Sequence, residues 1–294
     1  MYDRILVPVD GSAPATAALD RALDIAAEHG ARVDAINVAD TNVPSQTRIG
    51  VDVIDALVEE GATIVDEARE RGEKRDIPMV TEVIQGDPTE IIVDYADTYD
   101  CELIVMGSRG QQTLSEYVLG TVTDQVVNRS DRQVLTVRAA EGSTTTYPYE
   151  TILVPTDGSD QATDAVELGA KIAAHHDAAL HLLFVAADQP LGIDTRSAAA
   201  TDQREADGKA ILQSAVDHIA DAGVDDSAIE ITTAVEFGSV RSEITASASD
   251  KGIDCIVMGT HGRTGFDQHL LGSTTERVLR TTPVPVLTIG SRES

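Results

Sequence analysis

The chain repeats itself. Ile5-Leu6-Val7-Pro8-Val9-Asp10-Gly11-Ser12 returns as Ile152-Leu153-Val154-Pro155-Thr156-Asp157-Gly158-Ser159, with seven of eight positions identical. Ile104-Val105-Met106-Gly107 returns as Ile256-Val257-Met258-Gly259, and Leu119-Gly120-Thr121 as Leu271-Gly272-Ser273. Val134-Leu135-Thr136-Val137 returns as Val286-Leu287-Thr288-Ile289. The offset is 147 residues at the start and 152 from the glycine motif onward, so the second copy carries five extra residues in its middle. A period this long marks a duplicated domain rather than a solenoid repeat. The 294 residues are enough for two domains of ordinary size. The reading is a first domain over 1–140, a linker over 141–149 and a second domain over 150–294. The linker is placed on the polar, aperiodic run from Glu141 to Pro148.

Each copy alternates strand and helix. Ile5 to Val9 is an apolar run too short for a helix, and it ends at Asp-Gly-Ser. Ala15, Ala18, Leu19, Ala22, Leu23 and Ala26 then share one helical face, with Pro14 in the first turn and Gly30 as the stop. Arg32 to Val38 reads as a second strand, and Ile54 to Ala68 has helical spacing. Met79 to Ile84 reads as a third strand. Asp87-Pro88 opens a helix, with Asp87 as N-cap and Pro88 at its first position. Leu103 to Met106 and Val134 to Val137 complete five strands, and copy two places its own near 151–156, 179–185, 229–235, 254–258 and 285–289. Strands alternating with helices imply parallel pairing through right-handed crossovers, and continuous apolar strands imply a sheet covered on both faces. The fold class is therefore α/β. Two doubly wound, Rossmann-like domains follow one another, each a five-stranded parallel sheet with helices on both sides. Ligands of such sheets bind at the carboxyl ends of the strands, at the switch point.

A glycine pattern follows the fourth strand of each copy. Copy one reads Gly107-Ser108-Arg109-Gly110, nine residues, then Gly120-Thr121; copy two reads Gly259-Thr260-His261-Gly262, nine residues, then Gly272-Ser273. Glycine lets backbone amides approach phosphate oxygens with no Cβ in the way. The second cluster opens a helix, whose amino end attracts anions. The hydroxyls of Thr121, Thr123, Ser273 and Thr275 are expected to donate further hydrogen bonds. Arg263 beside Gly262 is a cation placed to meet phosphates, whereas copy one has Gln111-Gln112 there. Asp10 and Asp157 end the first strand at the same rim. Two readings of them stand open: hydrogen bonds to ribose or help to a metal, or a helix-capping role shared with Ser12 and Ser159. Val38 and Val185 end the second strand, where backbone groups can read an adenine edge.

Composition narrows the partners. Acidic residues number 50 against 22 basic ones, for a net charge of -28. Lysine occurs only at Lys74, Lys171, Lys209 and Lys251. Such a field repels DNA, RNA and anionic membranes. The acid excess runs along the whole chain, which suits a halophilic protein hydrated by carboxylates in concentrated salt. At molar salt the Debye length is about 3 Å and self-repulsion is screened. Hydrophobic residues make up 42% and aromatics 3%, so the core is built from Val, Ile, Leu and Ala. Cys101 and Cys255 precede apolar runs and read as small buried hydrophobes, not a disulfide. No signal peptide or membrane-length apolar run is present, and a cytoplasmic location is expected.

The opening Val-Pro-x-Asp-Gly-Ser, the Ile-Val-Met-Gly strand and the G-x2-G-x9-G-[S/T] loop resemble the ATP-binding branch of the universal stress protein family, a group with an adenine nucleotide alpha hydrolase-like fold. The resemblance runs through both copies. It implies that Pro8, Val9, Asp10 and Val38 surround adenosine in copy one, and that Met106, Gly107, Gly110, Gly120, Thr121, Val122 and Thr123 complete the site and hold the phosphates. In copy two the matching residues are Pro155, Thr156, Asp157, Val185, Met258, Gly259, Gly262, Gly272, Ser273, Thr274 and Thr275, with Arg263 beside them. It implies ATP as the ligand, ADP or AMP being the alternatives, held with Mg2+. Family domains pair through their fifth strands, which implies an intrachain pseudo-dimer and allows a homodimer of chains. Copy one departs from the pattern in lacking a basic residue after its second glycine, and copy two in carrying Thr274 where a small aliphatic residue is usual.

Other chemistries lack their residues. No G-x-x-x-x-G-K-[S/T] loop and no G-x-G-x-x-G after a first strand occurs. The seven histidines show no metal-ligand spacing, and no serine has an assignable histidine base. The function expected is an ATP-binding stress-response or signalling module with two sites, whose association with another copy or an unknown protein partner is tuned by nucleotide. Without a placed general base, any ATPase activity would be weak. The alternatives are a slow hydrolase or nucleotidyl-transfer enzyme on the same fold, and an interaction protein without nucleotide.

Overall fold

The computed structural model describes residues 2–40, 52–109, 119–138, 147–187, 198–224, 229–262 and 271–290. The chain divides into two compact units, Met1–Gly142 and Ser143–Ser294. The first runs β1 (Arg4–Pro8), α1 (Ala13–His29), β2 (Arg32–Asp40), α2 (Asp52–Glu73), β3 (Met79–Gly86), α3 (Pro88–Thr98), β4 (Leu103–Gly107), α4 (Thr121–Arg129) and β5 (Gln133–Val137). The second runs β6 (Thr151–Pro155), α5 (Asp160–His176), β7 (Ala179–Ala187), α6 (Ala198–Asp221), β8 (Ile231–Gly238), α7 (Val240–Asp250), β9 (Cys255–Gly259), α8 (Ser273–Thr281) and β10 (Val286–Ile289). Within the first unit the strand order is β3-β2-β1-β4-β5, and within the second β8-β7-β6-β9-β10, every pairing in each being parallel.

The order reverses between β1 and β4, and between β6 and β9. Each switch point therefore lies where the sequence places its motifs. Ile5, Leu6 and Val7 are fully buried, as are Ile152 and Val154. This is what a sheet covered on both faces demands. Strands β2, β3, β7 and β8 run two or three residues past the ends that periodicity predicts. Asp40 pairs with Gly86 and Ala187 with Gly238, and a backbone ladder continues past the last apolar side chain as long as it has a partner. No helix among the described residues is long and apolar enough to cross a membrane.

The helix signals act as chemistry predicts. Ser12 accepts from the Ala15 amide and Ser159 from that of Ala162. Asp87 accepts from the amides of Thr89 and Glu90, with Pro88 in the first turn. Gly30 closes α1 in the left-handed region at φ 67°. The start of each first strand is clamped by a carboxylate from the start of the fourth. Glu102 accepts from the Asp3 and Arg4 amides at 2.5 and 3.2 Å, and Asp254 from the Glu150 and Thr151 amides, both at 3.0 Å.

Among the described residues, one charged strand side chain is fully buried. Asp34 of β2 is fully buried and takes Arg4 (2.6 Å), Arg32 (2.9 Å) and the Tyr95 hydroxyl (3.1 Å). Burial, and then Asp34, push the Tyr95 hydroxyl well above the usual tyrosine range, so it stays protonated and donates. In copy two His181 stands at this position and bonds Thr232.

Both cysteines are free and buried. Burial, and then Asp34, raise the Cys101 thiol to about 11. The thiolate is the reactive form. We therefore expect neither thiol to react with Ellman's reagent at pH 8 in molar KCl until the protein unfolds. Rapid stoichiometric labelling of the native protein would contradict the buried placement.

Candidate functional site

In each copy three segments meet at the switch point: the Asp-Gly-Ser turn after the first strand, the end of the second strand, and the glycine segment after the fourth. In copy one the Val9 amide donates to Ile36 (2.8 Å), and its carbonyl accepts from Asn37 Nδ2 (2.8 Å). Val9 is thus fixed against the end of β2, beside Val38. Asp10 accepts the Ser12 amide at 3.0 Å, and Gly11 takes φ 77° to allow that turn. Copy two repeats it: Thr156 donates to Leu183 (2.8 Å), Asp157 accepts the Ser159 amide (3.0 Å) and Gly158 has φ 74°. The N-caps are therefore Ser12 and Ser159. Each aspartate supports the turn with one oxygen, and Asp157 turns the other, Oδ2, toward Gly262. A Cβ on Gly262 would lie 2.8 Å from that oxygen.

The glycines divide into two jobs. A Cβ on Gly107 would lie 2.7 Å from the Pro14 carbonyl carbon and 2.9 Å from the Ala15 nitrogen; one on Gly259 would lie 2.9 Å from Gln161 Cβ. The first glycine of each motif is where the start of α1 or α5 packs on the strand end. That packing alone requires it. Gly262 and Gly272 instead adjoin the rim, next to Asp157 and Thr260. Gly120 and Gly272 are the N-caps of α4 and α8, and neither helix has a side-chain cap. They lack the serine or aspartate cap that satisfies amides at the starts of α1, α3 and α5.

The hydroxyls also divide. Thr123 is buried and donates to the Gly107 carbonyl at 2.8 Å, and Thr275 does the same to Gly259 at 2.9 Å. Their single protons tie the helix to the strand end, which differs from the expectation that all four hydroxyls donate to a ligand. Thr121 and Ser273 are exposed, and Val122 and Thr274 half-buried, at the helix starts. Met106 and Met258 are buried within β4 and β9; Pro8, Pro155, Val38 and Val185 are half-buried at the strand ends. Gly110 and Arg263 lie outside the described residues. Periodicity did not single out Asn37 or Gln161. Each is a polar residue flanked by helix or strand formers, and only the fold brings it to the rim.

A sequence profile described as the universal stress protein family matches residues 1–138 and again 148–290. The chain is 31% identical over 142 residues to a universal stress protein of Methanocaldococcus jannaschii, a match spanning 47% of this chain and 83% of that protein. It is 30% identical over 148 residues to universal stress protein YxiE of Bacillus subtilis, a match spanning 47% of this chain and all of that protein. The crystal structure of a universal stress protein from Archaeoglobus fulgidus aligns over 98% of both chains with a TM-score of 0.70 at 22% identity, a likeness of fold. With two matched stretches that together span nearly its whole length, the chain belongs to the universal stress protein family as a tandem of two family domains.

Proposed function

We propose that each domain binds one ATP with Mg2+ at its switch point, and that the chain is a stress-response or signalling module whose association is tuned by nucleotide. One observation carries the reading. In both copies a glycine-bearing segment, an acid-bearing turn and an uncapped helix start converge at a single strand rim. Backbone amides and a helix amino end are what phosphates need. The adenosine would rest on Pro8, Val9, Asp10 and Val38, or on Pro155, Thr156, Asp157 and Val185. The phosphates would meet Gly110, Gly120 and Thr121, or Gly262, Arg263, Gly272 and Ser273. We place the protein in the cytoplasm of a salt-loving cell, consistent with its net charge of -28.

The test is calorimetric titration of ATP with Mg2+ into the full chain in molar KCl, repeated with ADP, AMP and a cyclic adenine nucleotide. Two ATP events are expected, one of them lost in Gly110→Asp. ATP at about 100 times its dissociation constant should add about 2.7 kcal/mol to stability. Absence of both heat and thermal stabilisation with every nucleotide would sink the reading. Preference for a cyclic nucleotide would move it to a second-messenger receptor. Many turnovers of ATP would replace the module with a hydrolase.

A further inference from the structure

The two glycine segments share their motif but not their anchoring. In copy two the Gln161 side chain, from the first turn of α5, reaches across to the segment. Its Oε1 accepts from the His261 amide at 2.7 Å and lies 3.4 Å from Thr260 Oγ1. An N–H donor identifies the accepting atom as the amide oxygen. Thr260 Oγ1 in turn lies 3.0 Å from His261 Nδ1. The backbone of the segment is thus tied to the helix on one side, while the Gly272 amide donates to the Thr260 carbonyl at 2.8 Å on the other. In copy one the second tie is kept, Gly120 amide to Ser108 carbonyl at 2.8 Å. The first has no counterpart among the described residues. The residue in the place of Gln161 is Pro14, whose ring offers neither donor nor acceptor. Ser108, in the place of Thr260, is 2% exposed, and its hydroxyl has no hydrogen-bond partner among the described residues.

We infer that Gln161 is a positioning residue that pre-forms the phosphate segment of copy two, so that this domain is the tighter nucleotide site and the latch-free copy one the looser. The inference rests on the nucleotide reading above. A segment held in its bound shape loses less conformational freedom when the ligand arrives, and that difference appears as affinity. The chain would then respond to nucleotide over two concentration ranges, copy two filling first.

The decisive variants are Gln161→Met, which keeps length and packing but removes the acceptor, and Pro14→Gln, which offers copy one the same acceptor. ATP with Mg2+ is titrated into the full chain in molar KCl. Hydrogen exchange of the His261 amide is followed separately without nucleotide. Gln161→Met should weaken the tighter event about fivefold, the worth of one lost hydrogen bond, and leave the looser one unchanged. The His261 amide should exchange about tenfold faster, with the unfolding midpoint held. Pro14→Gln should tighten the looser event. Equal affinities in the wild type, a tighter event that belongs to copy one, or Gln161→Met leaving both events and the His261 exchange unchanged would each overturn the inference alone. Absence of any wild-type binding would overturn the nucleotide reading, and the inference with it.

Discussion

Asp34→Ala should cost the first domain about 3 kcal/mol, toward the lower end of what breaking a buried ion pair costs. Asp34 is fully buried, and three donors converge on it: Arg4 on β1, Arg32 two residues before it on β2 and Tyr95 on α3. Removing the carboxylate leaves a buried hydroxyl and two guanidinium groups facing a void. The Arg32 side chain is 42% exposed and regains water, whereas that of Arg4, at 20%, is held over the Tyr99 ring. That asymmetry sets the cost at the lower end. Urea unfolding in molar KCl should show a lower midpoint with an unchanged slope, the sign of lost stability rather than a changed unfolded state. Because the cluster is buried, the loss should hardly vary between one and three molar KCl, unlike any effect of surface carboxylates. Tyr95→Phe, which removes one hydrogen bond to a charged group, should cost about 1.5 kcal/mol. A loss below about 1 kcal/mol for Asp34→Ala would mean that the cluster is neutral to stability, as buried pairs often are against apolar replacements.

That cluster also shows where the sequence stopped being legible. The repeat, the alternation of strand and helix, and the caps at Asp87 and Gly30 are local or periodic, and they read correctly from the chain alone. Asp34 sits between apolar residues of β2, and two of its partners, Arg4 and Tyr95, lie 30 and 61 residues away. No window of the sequence holds all of them. The same holds at the rim. The motif spacing located the segments after β4 and β9. It did not show that Thr123 and Thr275 donate inward to Gly107 and Gly259, because that depends on how a helix start sits on a strand end. Nor did it separate Gln161 from Pro14, which occupy the same place in two copies that otherwise match closely. A repeat predicts that two sites exist; the departures between copies, once the fold shows what each residue contacts, predict how they differ.

Two glycines of the same motif should fail in different ways. Gly107→Ala should cost about 3 kcal/mol of stability, because the new Cβ meets main-chain atoms that cannot swing aside. The carbonyl carbon of Pro14 and the nitrogen of Ala15 would lie 2.7 and 2.9 Å away. The start of α1 must lift off the sheet or β4 must retreat. Nucleotide binding in copy two should be untouched, since no residue of that site moves. Gly262→Asp is expected to do the opposite. Among the described residues, a Cβ there meets the Asp157 carboxylate, at 2.8 and 3.7 Å, a side chain that can yield. Unfolding should therefore shift by less than about 1 kcal/mol in molar KCl, within the usual range for a substitution outside the core. Binding should suffer far more. A second carboxylate beside Asp157, where phosphates are proposed to lie, sets like charges together, and such juxtaposition costs several kcal/mol. The ATP event of copy two should weaken about 100-fold or vanish. Paired unfolding and titration of the two variants separates the roles. If Gly262→Asp binds ATP as the wild type does, the second glycine is only a turn, and phosphates do not sit on this loop. If Gly107→Ala is as stable as the wild type, the contact with α1 is looser than its distances imply, and the first glycine is kept for the ligand instead.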